Sequence, residues 1–133
     1  MSTKTISRAC VIDDDPVYIY GIRRVLENSG LCDEVLTFSN GKDAFEYFRD
    51  HSQDAVKSLP ELILLDLNMP VWDGWQFLDK FSELEQNKTV NLYVVSSTLD
   101  PRDLDRVSRY QSVTDIIVKP VSMEKLKNAL GVS

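Results

Sequence analysis

Five short apolar runs, separated by segments whose hydrophobic residues recur at a helical spacing, constrain this chain more than any other feature. The runs are Ala9-Cys10-Val11-Ile12, Val35-Leu36-Thr37-Phe38, Leu62-Ile63-Leu64-Leu65, Leu92-Tyr93-Val94-Val95 and Ile116-Ile117-Val118. The first, third and fourth are nearly continuous in hydrophobicity, as expected of central parallel strands covered on both faces. Val35 to Phe38 is more mixed and suits a position nearer a sheet edge. Between the runs lie helices with recognisable starts. Asp15-Pro16 reads as an N-cap followed by a first-turn proline, and the stripe Tyr18, Ile19, Ile22, Val25, Leu26 stops at Gly30. Asn40 is placed to cap a helix carrying Ala44, Phe45, Tyr47 and Phe48. Trp75, Phe77, Leu78, Phe81 and Leu84 mark a third helix. A fourth opens at Asp100-Pro101 and carries Leu104, Val107 and Tyr110, and Ser122 caps a last one through Leu126, Ala129 and Leu130. Strands alternating with helices predict right-handed crossovers and a doubly wound α/β fold, a parallel sheet with helices on both faces. The 133 residues show no repeat, linker or low-complexity tract, so residues 1–133 are expected to form one domain.

Charge and composition exclude several function classes. A formal net charge of -6 argues against direct binding of nucleic acid, which wants a basic face. No apolar run approaches the roughly 20 residues needed to span a bilayer. The apolar stretch before the first acids is too short for a secretory signal, which makes a cytoplasmic location the expectation. Cys10 and Cys32 lack metal-ligand spacing and are expected to be free thiols. His51, the single histidine, sits in the polar stretch RDHSQD and reads as a surface residue at a helix end rather than a base.

In a doubly wound sheet, ligands bind beyond the carboxyl ends of the strands, where the strand order reverses. The first apolar run is followed by Asp13-Asp14, the third by Asp66, the fourth by Ser96-Ser97 and the fifth by Lys119-Pro120. Four strands therefore deliver charged or hydroxyl groups to one edge, whereas Ser39-Asn40 after the second needs only turn chemistry. Asp13, Asp14 and Asp66 brought together repel one another unless a cation neutralises them. A hard divalent ion with oxygen ligands answers this, and Mg²⁺ suits few protein ligands and several retained waters. Asp15 is set aside as a cap because Pro16 follows it. Asp66 precedes Leu67-Asn68-Met69-Pro70, a loop by virtue of Pro70 and Gly74. A carboxylate there can attack a phosphoryl group and form an acyl phosphate. Ser96 can hydrogen-bond a phosphoryl oxygen and Lys119 can pair with it as a compact charge. Singly, each of these residues is more ordinary as a turn aspartate, a turn serine or a solubilising lysine. Only their convergence raises the functional reading.

With VIDDDP (Val11 to Pro16), LLDLNMPVWDG (Leu64 to Gly74), VVSS (Val94 to Ser97) and IIVKP (Ile116 to Pro120) in this order and spacing, the chain resembles the response-regulator receiver family over essentially its whole length. The resemblance implies a flavodoxin-like fold of five parallel strands in order 2-1-3-4-5 with five surrounding helices. It implies Asp66 as phosphoacceptor, Asp13 and Asp14 as the acid pair, and the backbone carbonyl of Asn68 as a further Mg²⁺ ligand. It makes Ser96 the switch hydroxyl, Lys119 the phosphate-pairing lysine, and the peptide bond into Pro120 often cis. A histidine kinase or histidine phosphotransfer protein is the implied phosphodonor, since His51 is not a plausible one. A separate downstream protein would read the face formed by the fourth helix, fifth strand and fifth helix. With no output segment after the last helix, the expectation is a receiver rather than a turnover enzyme on an external substrate. Met69, Trp72 and Trp75 near the acceptor loop are candidate partner contacts, although Trp75 suits the core at its helical spacing. One position departs from the family pattern: Ile116 stands where Tyr or Phe is common, three residues before the lysine, which predicts a smaller rearrangement than an aromatic rotamer change.

Two other readings compete. An Asp-nucleophile phosphohydrolase would need an acid two residues after Asp66, where this chain has Asn68, and room for a substrate-covering cap. A receiver-like scaffold that is never phosphorylated usually lacks an acid, the acceptor or the lysine, and none is missing here.

Overall fold

The computed structural model describes residues 6–51, 60–69, 71–84, 90–97 and 100–130, with Ile6, Ala129 and Leu130 described by backbone alone. Pro70 therefore lies outside the described residues, as do the side chains of Ala129 and Leu130. Five strands alternate with five helices: β1 (Ile6–Ile12), α1 (Pro16–Asn28), β2 (Cys32–Phe38), α2 (Gly41–Asp50), β3 (Leu62–Asp66), α3 (Gly74–Phe81), β4 (Asn91–Ser96), α4 (Pro101–Val107), β5 (Val113–Val118) and α5 (Met123–Leu130). All neighbouring strands run parallel, and the sheet order is β2-β1-β3-β4-β5. The fold is flavodoxin-like.

Period-two alternation along the central strands sorts their side chains into two cores. Ala9, Val11, Leu62, Leu64, Tyr93 and Val95 face α1 and α5, where Ile22, Leu26 and Leu126 meet them. Cys10, Ile12, Ile63, Leu65, Leu92 and Val94 face the other way, onto Ala44, Phe48, Phe77, Leu78, Phe81 and Val107 of α2, α3 and α4. Every residue of β3 is buried, which explains its unbroken apolar run. Both cysteines are buried free thiols.

The edge strands β2 and β5 outrun their apolar runs, and β1, paired on both sides, also starts three residues before its own. β2 begins at Cys32, and its exposed Glu34 pairs in register with Arg8, Nε to Oε1 at 2.6 Å. β5 begins at Val113 and includes exposed Thr114 and Asp115. Edge pairing is satisfied by the backbone ladder and tolerates polar side chains on the open side, so hydrophobicity underestimates edge strands. Thr114 lies at a register shift, and its Oγ1 accepts a hydrogen bond from the Leu92 N–H at 3.2 Å.

The helix starts follow local chemistry. Asp15 accepts from the Val17 N–H at 3.0 Å, and Asn40 accepts from the Asp43 N–H at 2.8 Å. Asp100 accepts from the Arg102 N–H at 2.9 Å, and Ser122 Oγ from the Lys125 N–H at 3.2 Å. Asp73 and Gln76 form a reciprocal capping box on α3 that the apolar spacing alone did not reveal. Two stripe residues fall outside their helices: Leu84 lies past the end of α3, and Tyr110 past the end of α4. Tyr110 instead donates its hydroxyl to Asp79 Oδ1 at 2.5 Å, tying the α4–β5 turn to α3. His51 is the C-cap of α2 and stacks on Tyr47 with ring centroids 4.2 Å apart.

Candidate functional site

Sheet order reverses between β1 and β3: β2 lies outside β1 on one side, while β3, β4 and β5 extend to the other. Asp13 follows the last residue of β1, and Asp66 is the last residue of β3. Chain direction and topology thus place two carboxylates at the two lips of the crevice. Their strands descend from a dry interior, so neither is well solvated: Asp13 is 1% exposed and Asp66 8%. Asp14, next along the chain, is exposed. Oxygens of Asp13, Asp14 and Asp66 all lie within 4.8 Å of one another.

Asp13 is held on both oxygens. Oδ1 accepts from the Asp15 backbone N–H at 2.9 Å, and Oδ2 accepts from Lys119 Nζ at 3.1 Å. The same ammonium stands 3.9 Å from Asp66 Oδ1. Burial pushes the Asp66 carboxyl up to about 6, and the charge of Asp13 adds to this. Lys119 and a hydrogen bond from the Asn68 backbone oppose the rise, while Asp14 adds a smaller push upward. The carboxylate is thus destabilised first by burial and then by the neighbouring acids, the condition under which a cation binds strongly. Hard oxygen donors in this number fit a divalent ion such as Mg²⁺.

β4 and β5 bring the remaining groups. Ser96 closes β4 opposite Val118 in the register, and its carbonyl accepts from the Lys119 N–H at 2.8 Å. That bond anchors the start of the β5–α5 turn against β4, from which the Lys119 side chain reaches back across β3 to Asp13. The peptide bond from Lys119 to Pro120 is cis. Ser96 is half-buried at the same edge, and Asn68 is exposed in the loop after β3.

That loop is shaped by close backbone approach. The Gly74 N–H donates to Leu67 O at 2.9 Å, and a Cβ at position 74 would stand 2.6 Å from Asp66 O and 2.7 Å from Leu67 Cα. Only glycine lets α3 start this near the acceptor strand. Val71 and Trp72 take left-handed φ values of 46° and 65°, which costs non-glycine residues roughly 1 kcal/mol or more each. Trp72 is secured in return: its carbonyl accepts from the Gly41 N–H at 3.1 Å, and its ring lies 5.5 Å from that of Phe45. Trp75 packs against the core and carries Arg106 over its ring at 4.1 Å, whereas Val71 is exposed.

All the site residues read from sequence therefore lie at one sheet edge, with Asp13, Asp66 and Lys119 in direct association. Sequence reasoning missed one neighbour. Tyr18, one turn into α1, places its ring centroid 4.3 Å from Lys119 Nζ. Its spacing of four residues from Asp14 was the available signal, because α1 starts at the site and its first turn must face it.

The sequence model of the response regulator receiver domain matches residues 9–131, nearly the whole chain. The chain belongs to the response regulator receiver family. Among curated proteins, the receiver is similar to the probable methanogenesis regulatory protein FilR2 of Methanothrix harundinacea, 28% identical over 120 residues, covering 90% of this chain and 76% of that one. It is 31% identical over 130 residues to the probable C4-dicarboxylate response regulator DctR of Halalkalibacterium halodurans, covering 98% of this chain and 52% of that protein. The receiver thus spans about half the length of DctR. Among solved structures it superposes on a two component response regulator from Cytophaga hutchinsonii with a TM-score of 0.84 at 25% identity, covering 96% of each chain. Receivers are signalling domains of two-component systems, generally binding Mg²⁺ at acidic residues and working between a kinase or phosphotransfer donor and a downstream effector. Among the described residues, no helix of the receiver is long and apolar enough to cross a membrane.

Proposed function

We propose that this receiver accepts a phosphoryl group on Asp66 from the phosphohistidine of a histidine kinase or histidine phosphotransfer protein, and thereby switches a protein-binding surface. The observation that carries the reading is the meeting of Asp13, Asp14 and Asp66 within 4.8 Å, with Lys119 bridging the two buried members. Asp13 and Asp14 would hold Mg²⁺ through their carboxylates, joined by an oxygen of Asp66 and the backbone carbonyl of Asn68. When bound, the ion neutralises the acidic cluster and the oxygens of the transferring phosphoryl group.

Asp66 is the nucleophile. One carboxylate oxygen forms a bond to phosphorus while the bond from phosphorus to the histidine nitrogen breaks, and the imidazole departs with that electron pair. Lys119 pairs with a phosphoryl oxygen, and Ser96 donates its hydroxyl to another. The pull on Ser96 is passed to the turn after β4 and to the face of α4, β5 and α5, which a separate downstream protein reads. On that face Ile116 and Tyr110 help line a cavity of about 270 Å³ with Leu104 and Val107. An isoleucine has no ring to swing, so the rearrangement there is smaller than an aromatic flip. The receiver catalyses transfer to and hydrolysis from its own Asp66 and does not turn over an external substrate. It works in the cytoplasm, with no role for nucleic acid or membrane.

The test is incubation with acetyl phosphate and Mg²⁺. One phosphoryl group, labile to base and hydroxylamine, should be added to the native chain and none to Asp66→Asn. Full labelling of that variant would remove Asp66 from its role. Ser96→Ala should still be labelled while losing the chemical-shift response of residues 96 to 110 to beryllofluoride; an unaltered response excludes Ser96 as the switch.

A further inference from the structure

Lys119 carries a compact charge on a four-carbon stem with several rotatable bonds, so something must hold its ammonium at the acceptor. Asp13 and Asp66 supply charge, but a third neighbour is uncharged. Nζ lies 4.3 Å from the centroid of the Tyr18 ring, inside the range of a cation–π contact. The ring is itself well seated. Tyr18 lies in the first turn of α1 and packs against the core formed by β1, β3, α1 and α5. Its hydroxyl is buried without a hydrogen-bond partner among the described residues. Burial and the nearby Asp13 and Asp66 raise the phenol well above its ordinary value, so the ring stays neutral.

We propose that Tyr18 is the positioning residue for Lys119, its ring face holding the ammonium beside Asp66 without competing for its charge. The proposal rests on the reading of Asp66 as phosphoacceptor. A carboxylate in that place would bind the lysine too firmly and add to the repulsion already acting on Asp66. An aliphatic side chain would leave the ammonium free to swing toward solvent. The quadrupole of a neutral ring does neither: it favours the cation over a broad area of its face, so Lys119 can pass from Asp13 to a phosphoryl oxygen while keeping this contact.

The experiment has two arms. In the unphosphorylated chain without metal, the Lys119 ε-methylene protons should be shifted upfield by the ring current in NMR spectra. Tyr18→Phe should keep that shift and Tyr18→Leu should lose it. Ordinary random-coil positions in the native chain would overturn the proposal outright. In the second arm, beryllofluoride with Mg²⁺ stands in for the phosphoryl group. Tyr18→Leu should weaken its binding roughly fivefold and Tyr18→Phe should match the native chain. In a Lys119→Ala background, Tyr18→Leu should change nothing further. Equal weakening by Phe and Leu would assign the effect to the hydroxyl, and a loss persisting without Lys119 would mark general packing; either overturns the proposal. Should Tyr18→Leu fail to fold, Tyr18→Met fills the space without a ring and serves in both arms. Native-strength beryllofluoride binding by Asp66→Asn would defeat the phosphoacceptor reading, while the first arm still judges the contact between Tyr18 and Lys119.

Discussion

The ammonium of Lys119 stands closer to Asp13, at 3.1 Å, than to Asp66, at 3.9 Å. Lys119 is therefore committed to the fully buried member of the acid group, and Asp66 keeps an oxygen available on its more exposed side. The arrangement stores the counter-charge beside the acceptor without occupying it. Each partner depends on the other, because Asp13 has almost no access to water.

Lys119→Ala should destabilise the chain at pH 7 in the absence of metal, by about 2 kcal/mol, since it leaves a buried carboxylate without its cation. The value lies below that of a fully enclosed pair because the lysine is partly exposed and water can enter. Mg²⁺ should recover most of the loss. Urea unfolding with EDTA and with Mg²⁺ measures both, and an unchanged midpoint with EDTA would show that the pair contributes nothing.

The raised Asp66 carboxyl makes stability depend on pH in a defined direction. Without metal, the folded chain retains a proton on Asp66 up to about 6, whereas the unfolded chain releases it near the ordinary value of 3.8. Stability from this group is fully present below that ordinary value and is lost as pH rises through about 6. Asp66→Asn should match the native chain near pH 4 and exceed it by ~1–2 kcal/mol at pH 7.5, after allowance for screening by solvent. Denaturant titrations of both chains in EDTA give the difference directly. A gap that grows toward acid pH would have the wrong sign.

Two glycines should respond oppositely to alanine. At Gly74 the new Cβ would press on Asp66 O at 2.6 Å, and the loop must shift. That should cost about 1–3 kcal/mol and weaken Mg²⁺ binding as the acceptor strand end moves. At Gly21, inside α1, a Cβ meets nothing within 4 Å. There alanine should stabilise by about 0.5–1 kcal/mol. Thermal melts of the two variants, with Mg²⁺ titrations for the first, decide it; a Gly74→Ala chain with native metal affinity would show that the loop is not tightly seated.

Much of the molecule was legible in the residues themselves. Asp15-Pro16, Asn40, Asp100-Pro101 and Ser122 announced helix starts because capping is a local hydrogen bond within three residues. The unbroken run Leu62 to Leu65 announced a central strand because both of its faces are covered. Hydrophobicity alone shortens the strands, since Glu34 on edge strand β2, Thr114 and Asp115 on edge strand β5, and Arg8 at the start of β1 carry no hydrophobic signal. Helical spacing places Tyr110 in α4, which ends before it; its position is set by Asp79 of α3, a partner 31 positions away.

Strand ends, and hence which polar residues reach the rim, were written in the chain, because alternation of apolar strand and amphipathic helix leaves a parallel sheet little choice of direction. What the order of residues could not say is how the rim divides its labour. Asp13 and Asp14 are neighbours of the same chemistry, yet one is sealed off and paired with Lys119 while the other faces water. The aromatic wall on Lys119 comes from α1, and the tight seat of the acceptor loop comes from Trp72 meeting Gly41 of α2. Those outcomes depend on which surfaces exclude water once sheet and helices have closed together, and exclusion of water is a property of the assembled fold rather than of any segment.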